Sequence, residues 1–288
     1  MNVLIIGKNG QVAWELQQTC PSHITAHAFG RNEINITDPN SIEQVIEQLN
    51  PAVIINASAY TAVDKAESEE DAAYRINGIA VELLAKAATK HSIRLLHIST
   101  DFVFDGTKNT PYTVDDKTNP INVYGASKLA GEQAIKTYCP TNSSIIRTSW
   151  VYSSYGNNFV KTMLRLMAEK EQLSVVSDQI GCPTNAMGLA QYLWQLTEQP
   201  ELDQIYHYSD LGVASWYDFA IAIQDAAINA GKLIKKIPIK PILSIDYPLP
   251  AARPSYSVMD KASLGHTVTN KDLIHWQEQL KNMMFKYS

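Results

Sequence analysis

The stretch Asn2-Val-Leu-Ile-Ile-Gly-Lys-Asn-Gly-Gln-Val-Ala-Trp-Glu-Leu16 decides the fold. Its apolar start predicts a short strand, and the residues from Gln11 onward predict a helix. Between them, Gly7 permits a tight turn and Gly10 lets the backbone approach a phosphate, while Ala13 is small enough for the helix to pack on the strand. The helix start offers free N–H groups and a positive dipole end to an anion. This pattern predicts a dinucleotide site, and a plain strand-to-helix turn is the alternative.

Strands and helices alternate through the first half of the chain. Apolar segments predict strands at 2–6, 24–29, 52–56, 93–98 and 144–148, with helices at 11–20, 39–49 and 68–90 between them. Such alternation is typical of a parallel sheet with helices on both faces, where ligands bind at the carboxyl ends of the strands. We therefore expect an α/β protein with a Rossmann-type doubly wound parallel sheet.

The second half of the chain has a looser pattern. Helices are predicted at 158–170, 187–198, 216–229 and 270–285, separated by turns rich in proline. We expect a dinucleotide-binding domain with the catalytic helix over residues 1–152. Residues 153–288 would then form a smaller, mainly substrate-binding lobe, part of which returns to the core.

The composition excludes several classes of protein. The 288 residues are 45% hydrophobic and 18% charged, as in ordinary globular chains, and no apolar run approaches membrane length. The N-terminus enters a strand directly, so we expect no signal peptide. Three widely spaced cysteines argue against a disulfide framework or a metal site, and the net charge of −5 gives no support for nucleic-acid binding. We expect a cytoplasmic protein that binds neither membrane nor nucleic acid.

Tyr124-Gly-Ala-Ser-Lys128 places a phenol and an ammonium group on one face of a helix. A tyrosine can give a proton to the alkoxide that hydride addition produces. A cation about 4 Å away can lower the phenol pKa by about three units at an effective dielectric near 20, and we assign this role to Lys128. Thr100, at the end of the fourth strand, would hydrogen-bond the substrate oxygen and position the tyrosine. If the Tyr-x-x-x-Lys spacing is considered alone, the alternative is a solvated tyrosine and lysine on the helix surface.

The end of the second strand bears on the choice of cofactor. NAD-specific folds usually place an acid there to hold the ribose 2′-hydroxyl, whereas Arg31 suits a 2′-phosphate. A surface arginine is the alternative. Asn35 and Ile36 lie near enough in sequence to touch the adenine. We expect NADPH to be preferred, with NADH also used.

Three further side chains are candidates for the substrate. Trp150 follows the fifth strand and could stack on a sugar or base, with a buried aromatic as the alternative. Arg253 could neutralise a diphosphate. Arg147 could do the same, but its place before the strand end favours a structural role.

Taken together, these residues resemble the extended short-chain dehydrogenase/reductase superfamily and, within it, the dTDP-4-dehydrorhamnose reductase family. The glycine loop and the Tyr-x-x-x-Lys pattern are shared by the whole superfamily. The more specific strings are Thr61-Ala-Val-Asp-Lys-Ala-Glu67 and Arg147-Thr-Ser-Trp-Val-Tyr152. The resemblance covers nearly the whole chain.

The resemblance implies the reduction of the 4-keto group of dTDP-4-dehydro-β-L-rhamnose by NAD(P)H. A reductase of another nucleotide-linked 4-keto deoxysugar and a non-catalytic dinucleotide-binding regulatory subunit are the alternatives. Tyr124 is the implied proton donor, Lys128 its partner and ribose anchor, and Thr100 the hydroxyl that tunes it. The implied cofactor contacts are Gly7, Gly10, Gln11, Val12, Ala59, Tyr60 and Thr61, and the implied substrate contacts are Thr100, Asp101, Trp150 and Arg253.

Two departures from the family pattern concern the adenine and a metal. The family often has an acid where this chain has Asn35. Some members bind magnesium at a dimer interface through a glutamate of the first helix and an acid after the Pro-Thr turn. Glu15 is retained here, but Met187 stands at the second position, so we expect no metal ligands. The oligomeric state stays open, with a homodimer as one alternative.

Overall fold

A computed structural model describes residues 1–266 and 273–286, in which strands and helices alternate. The strands are β1 (Asn2–Ile6), β2 (Thr25–Phe29), β3 (Val53–Asn56), β4 (Arg94–Thr100), β5 (Ser143–Thr148), β6 (Val151–Tyr152), β7 (Leu173–Val176), β8 (Ile180–Gly181), β9 (Thr184–Asn185), β10 (Ile205–His207), β11 (Ala214–Ser215) and β12 (Ile239–Ile242). The α-helices are α1 (Gln11–Gln18), α2 (Pro39–Leu49), α3 (Val63–Ala66), α4 (Glu70–Tyr74), α5 (Ala80–Lys90), α6 (Val123–Tyr138), α7 (Phe159–Glu169), α8 (Ala186–Glu198), α9 (Trp216–Asn229) and α10 (Trp276–Lys286).

The central element is a six-stranded sheet in the order β10-β5-β4-β3-β1-β2, in which every neighbouring pair is parallel. The predicted doubly wound α/β sheet is thereby confirmed. In register, Ile6 of β1 lies between Phe29 of β2 and Asn56 of β3. After β1 the chain forms β2 on one side of β1 and then crosses to form β3 on the other side. The order in which strands are added to the sheet therefore reverses between β1 and β3. A crevice at the carboxyl ends of the strands follows from this topology.

The strand β1 is buried on both faces, as a central parallel strand requires. Leu4 and Ile6 pack into one apolar cluster with side chains of α2 and α5. Val3 and Ile5 point to the other face and pack with side chains of α1 and α8. Alternate residues of one strand therefore join two separate helix layers.

The second half of the chain contributes to this core through α8 and β10. The strand β10 pairs with β5, with Tyr206 opposite Ile146, and extends the sheet by one strand. The indole of Trp194 on α8 donates a hydrogen bond of 3.1 Å to the carbonyl of Leu16 on α1. Because β10 has only three residues, the apolar pattern of the sequence does not reveal it.

The rest of the second half forms a smaller lobe around its own apolar cluster. This cluster joins α7, α9 and α10, and Phe219 is buried at its centre. Ser215 caps α9 with a reciprocal capping box to Asp218. The last helix was expected from residue 270 and begins at Trp276, while residues 270–272 lie outside the described part of the chain.

The helix expected over 68–90 is interrupted. It consists of α4, one turn of π-helix at Arg75–Ile79, and α5. The π turn directs the side chain of Asn77 inward, where its amide accepts from the Tyr60 N–H at 2.8 Å and donates to the Tyr60 carbonyl at 3.0 Å and the Ser127 hydroxyl at 3.0 Å. Such single-turn bulges are frequent at functional sites, and helical periodicity alone does not show them.

Gly7 is the residue of the first turn that admits no side chain. Its φ of +103° is outside the range that other residues adopt easily, and an added Cβ would lie 2.8 Å from backbone atoms of Ala57 and Ser58. The turn after β1 therefore packs directly against the turn after β3.

We expect Gly7→Ala to lower the free energy of unfolding by more than the 1–3 kcal/mol or so that an unfavourable backbone conformation costs. Urea unfolding of the full chain measures this value. Gly231→Ala is the matched control, because Gly231 also has a positive φ, of +69°, but has open space around the added Cβ. Equal losses in the two variants would contradict the packing argument.

Candidate active site

A cleft of about 1500 Å³ opens at the carboxyl ends of the central strands. It brings together the glycine loop, the turns after β2, β3, β4 and β5, and the start of α6. The predicted site residues that line it are Gly7, Gly10, Gln11, Val12, Arg31, Asn35, Ile36, Ala59, Tyr60, Thr61, Thr100, Asp101, Tyr124, Lys128 and Trp150. Residues more than 100 positions apart in sequence thus share one cavity.

The glycine loop presents the start of α1 to this cleft. The N–H of Gly10 donates to the Gly7 carbonyl at 2.7 Å and closes the turn. Gly10 is also the N-cap of α1 and has no side chain to cap the helix. The first N–H groups of α1, beginning at Gln11, are therefore available to an anion in the cleft.

A segment of the second half lies across the glycine loop. The Asn158 amide donates to the Gln11 side chain at 2.8 Å, and Gly156 lies close to the same side chain. Tyr155 stacks on Trp14 with ring centroids 5.1 Å apart. Sequence reasoning did not identify this contact, because it joins residues about 140 positions apart.

The turn after β2 contains an acid that the sequence argument overlooked. Glu33 accepts hydrogen bonds from the Gly30 N–H at 2.9 Å and from the Lys8 ammonium group at 2.9 Å. The Lys8 hydrogen bond lowers the pKa of Glu33. The turn that carries Arg31 therefore also carries an acid, whose charge Lys8 offsets, and Lys8 adds a second cation beside the cleft.

Tyr124 lies in the first turn of α6, where Asn122 caps the helix by accepting from the Gly125 N–H at 2.7 Å. Burial raises the pKa of the Tyr124 phenol to about 12, and the nearby Asp101 also raises it, whereas a hydrogen bond with Thr100 lowers it. The expected lowering of this pKa by Lys128 is absent in this arrangement. The phenol is therefore a proton donor over the whole physiological range.

Lys128 is buried one turn further along α6, and its amine contacts the sheet. Nζ lies 2.7 Å from the Ile98 carbonyl and 3.1 Å from Nε2 of His97. Burial lowers the pKa of Lys128 to about 8, against an opposing effect of Glu132. Sequence reasoning found no functional signal in the histidines, so the contact with His97 was missed.

The ends of β4 and β5 place further polar atoms at the cleft. The Thr100 hydroxyl donates to Asp101 at 3.1 Å and accepts from the Phe102 N–H at 3.2 Å. Burial raises the pKa of Asp101 to about 6. Oδ2 of Asp101 and Oγ1 of Thr148 are buried and lack a hydrogen-bond partner among the residues that the structure describes. Thr148, which sequence reasoning did not select, thus joins the candidate polar contacts.

Two candidates for substrate binding have other partners in the structure. The Trp150 ring lines the cleft but stacks on Trp216, with centroids 3.5 Å apart. Arg253 is not among the residues that line the cleft, and its guanidinium forms a bidentate pair with Asp64 at 3.0 and 2.8 Å. Arg253 therefore joins the smaller lobe to α3, and its contact with a diphosphate stays a prediction.

Comparison with known proteins identifies the family. The sequence model described as "RmlD substrate binding domain" matches residues 1–288. A dTDP-4-dehydrorhamnose reductase from Salmonella typhimurium is 40% identical over 99% of this chain and 97% of its own length. The structure of a Bacillus anthracis dTDP-4-dehydrorhamnose reductase in complex with NADP superposes with a TM-score of 0.93, at 37% identity and 99% coverage of both chains. This chain belongs to the dTDP-4-dehydrorhamnose reductase family.

No group of three or more histidine, cysteine, aspartate or glutamate side chains within residues 1–266 and 273–286 could hold a metal ion. Glu15 is buried and accepts a hydrogen bond of 2.7 Å from the Ser153 hydroxyl. A bilayer-spanning helix, which needs a long apolar run, is likewise not found in these ranges.

A buried ion pair fixes the helix that carries Tyr124 in this member of the reductase family. Glu132 of α6 and Arg147 of β5 are 0% and 1% exposed and form two hydrogen bonds of 2.9 and 2.7 Å. Ser99 of β4 donates to the same carboxylate at 2.6 Å. Arg147 is therefore structural, as its place before the strand end indicated.

We expect Glu132→Gln to lower the free energy of unfolding by about 3–5 kcal/mol, because it leaves the Arg147 charge buried without a counter-charge. Denaturant unfolding provides the measurement. Glu169→Gln is the control, because Glu169 forms a 3.0 Å pair with Arg165 that is half exposed. That variant should lose less than about 0.5 kcal/mol. A loss below about 1 kcal/mol for Glu132→Gln would contradict the argument.

Proposed function

We propose that this protein reduces the 4-keto group of dTDP-4-dehydro-β-L-rhamnose with NADPH and forms dTDP-β-L-rhamnose. Its membership of the reductase family supports the substrate. The observation that carries the proposal is the partly buried Tyr124 phenol, which lies beside Thr100 in the same cleft as the uncapped start of α1. The cleft thus combines an anion-binding helix end with a proton donor.

The residues around the glycine loop and the turn after β2 fit a dinucleotide phosphate cofactor. The N–H groups at the start of α1 would hold the pyrophosphate. Lys8, which follows β1, and Arg31, which follows β2, would hold a 2′-phosphate. Asn35 and Ile36 would lie beside the adenine. When bound, the cofactor supplies a hydride to the keto carbon. The turn 59–61, which Asn77 holds in place, would line the ribose and nicotinamide.

Tyr124 would complete the reduction by proton transfer. As the keto carbon gains the hydride, the oxygen becomes an alkoxide, and the Tyr124 phenol gives it a proton and is left as a phenolate. Thr100 would turn its hydroxyl proton from Asp101 to the oxygen where this negative charge develops. A phenol with a raised pKa is fully protonated before the reaction, which suits the direction of ketone reduction.

Polar atoms at the ends of β4 and β5 would orient the sugar. Oδ2 of Asp101 and Oγ1 of Thr148 are buried at the cleft and lack partners in the described part of the chain, so sugar hydroxyls could satisfy them. Trp150 would contribute the part of its ring that Trp216 leaves uncovered.

We assign the protein to the cytoplasm. Its three cysteines, Cys20, Cys139 and Cys182, are free in the structure, which fits a reducing compartment. Light scattering on the purified protein tests the homodimer that the family resemblance leaves open.

We expect Tyr124→Phe to keep the fold and cofactor affinity but to lose at least about 10²-fold in turnover, because only the transferable proton is removed. The assay follows NADPH oxidation with a panel of nucleotide-linked 4-keto deoxysugars. Tyr138→Phe is the control, since Tyr138 lies at the far end of the same helix. Faster turnover of another sugar would identify a different reductase, and no turnover by the parent protein would favour a regulatory subunit.

We expect Arg31→Ala to raise the Michaelis constant for NADPH by about tenfold and to leave that for NADH nearly unchanged. The variant loses a charge-assisted hydrogen bond to the 2′-phosphate. Because Arg31 is exposed to water, we expect the loss of binding free energy to lie at the lower end of the range for such bonds. Initial rates with both cofactors provide the measurement, and Arg165→Ala, on the surface of α7, is the control. An equal change for both cofactors would show that Arg31 does not bind the 2′-phosphate.

A further inference from the structure

A chain of buried hydrogen bonds leads from the turn after β3 to Lys128, and its donors and acceptors can be assigned. The chain begins at Ser58, whose backbone N–H donates to Oδ1 of Asn56 at 3.1 Å. A backbone N–H can only donate, so the oxygen of the Asn56 amide must face Ser58. The Ser58 hydroxyl donates to the same oxygen at 2.6 Å.

The orientation of Asn56 determines the tautomer of His97. With its oxygen turned to Ser58, the amide presents its NH₂ group to Nδ1 of His97 at 3.0 Å. An NH₂ group is a donor only, so Nδ1 must accept and carries no proton. The proton of the neutral ring is then on Nε2. His97 is fully buried, and burial holds its pKa well below the usual value, so the ring is neutral.

Nε2 of His97 faces Nζ of Lys128 at 3.1 Å. A charged lysine has three donors and no acceptor, so an ammonium group would oppose the Nε2–H donor. An uncharged amine accepts from Nε2–H through its lone pair and still donates to the Ile98 carbonyl at 2.7 Å. The geometry therefore favours the uncharged lysine.

We propose that His97 is a positioning residue which, fixed by Asn56 as the Nε2–H tautomer, donates to Lys128 and favours its uncharged form in the cofactor-free protein. An uncharged Lys128 exerts no attraction on a phenolate, so Tyr124 remains a phenol and a proton donor. The role of this chain in turnover rests on the proposed reductase function, whereas the two protonation states do not.

Other ionisable groups around Lys128 have fixed partners. Glu132 acts on Lys128 from the next turn of α6 and is paired with Arg147 of β5. Tyr124, on the preceding turn, faces Asp101 at the end of β4. His97 of β4 is thus the neighbour whose hydrogen position decides between the charged and uncharged amine.

Nitrogen NMR of the ¹⁵N-labelled, cofactor-free full chain tests the assignment directly. We expect the His97 spectrum of the parent protein to show a bare Nδ1 and a protonated Nε2 at pH 9, where the Lys128 nitrogen should be an uncharged amine. Spectra of His97→Gln and Lys128→Arg assign the two signals. A proton on Nδ1, an imidazolium ring or a charged Lys128 at pH 9 would overturn the proposal.

Asn56→Asp should reverse the direction of the hydrogen bonds between residue 56, His97 and Lys128, with little change in the shape of the side chain. A carboxylate can accept from both the Ser58 N–H and Nδ1 of His97, so the ring proton should move to Nδ1 and Nε2 should accept from a charged lysine. We expect the Lys128 titration to move upward by about one to two pH units. Ser58→Ala is the control, because it keeps the backbone donor and should leave the tautomer on Nε2. A tautomer that stays on Nε2 in Asn56→Asp would refute the role of Asn56.

The pH profile of turnover provides a functional readout. Oxidation of dTDP-β-L-rhamnose by NADP⁺ needs the Tyr124 phenolate, and a charged Lys128 stabilises that phenolate. In Asn56→Asp, the half-maximal pH of this reverse reaction should therefore fall by about one unit. An unchanged profile, together with the expected NMR result, would confine His97 to a structural role and overturn its function in positioning. Failure of the parent protein to turn over this sugar would count against the proposed function and leave the NMR result standing.

Discussion

The hydrogen-bonded ion pair between Glu132 and Arg147 is the constraint on which the cleft depends. It joins α6 to β5, and the Ser99 hydroxyl ties the same carboxylate to β4. Arg147 also contacts His207 of β10 at 3.3 Å, so four elements meet at one buried charge pair. Tyr124 and Lys128 lie on successive turns of the helix held in this way. The Glu132–Arg147 pair therefore sets the distance of the Tyr124 phenol from the strand ends, although the pair itself takes no part in the proposed reduction.

The sequence predicts those features that local chemistry determines. The glycine loop, the start of α2 at Pro39, and the strands β1 and β3 all depend on neighbouring residues, and the structure has them within one or two positions. The predicted site residues also meet at one edge, because parallel strands end there. Tertiary contacts account for what was missed. No local pattern shows that Glu33 pairs with Lys8, that Arg253 pairs with Asp64, or that the Lys128 amine turns toward His97.

The cleft is assembled from both halves of the chain. Asn158 holds the side chain of Gln11 at the glycine loop, and Arg253 holds Asp64 beside the turn that would line the ribose. These contacts place elements of the smaller lobe on both sides of the dinucleotide site. A sugar nucleotide in the cleft would therefore contact side chains of the smaller lobe, and the positions of these side chains depend on the same residues that border the cofactor.

The return of β10 to the central sheet has a consequence for the order of events during synthesis. The strand β5 is buried along its whole length, and β10 covers one side of it. Until Ile205–His207 have left the ribosome, β5 is the outer strand of an unfinished sheet, with open backbone donors and acceptors. The nucleotide-binding half, although encoded first, is completed only after more than two thirds of the chain has been translated. Nascent chains that end between β5 and β10 therefore present an unpaired strand edge, which is a hazard for aggregation.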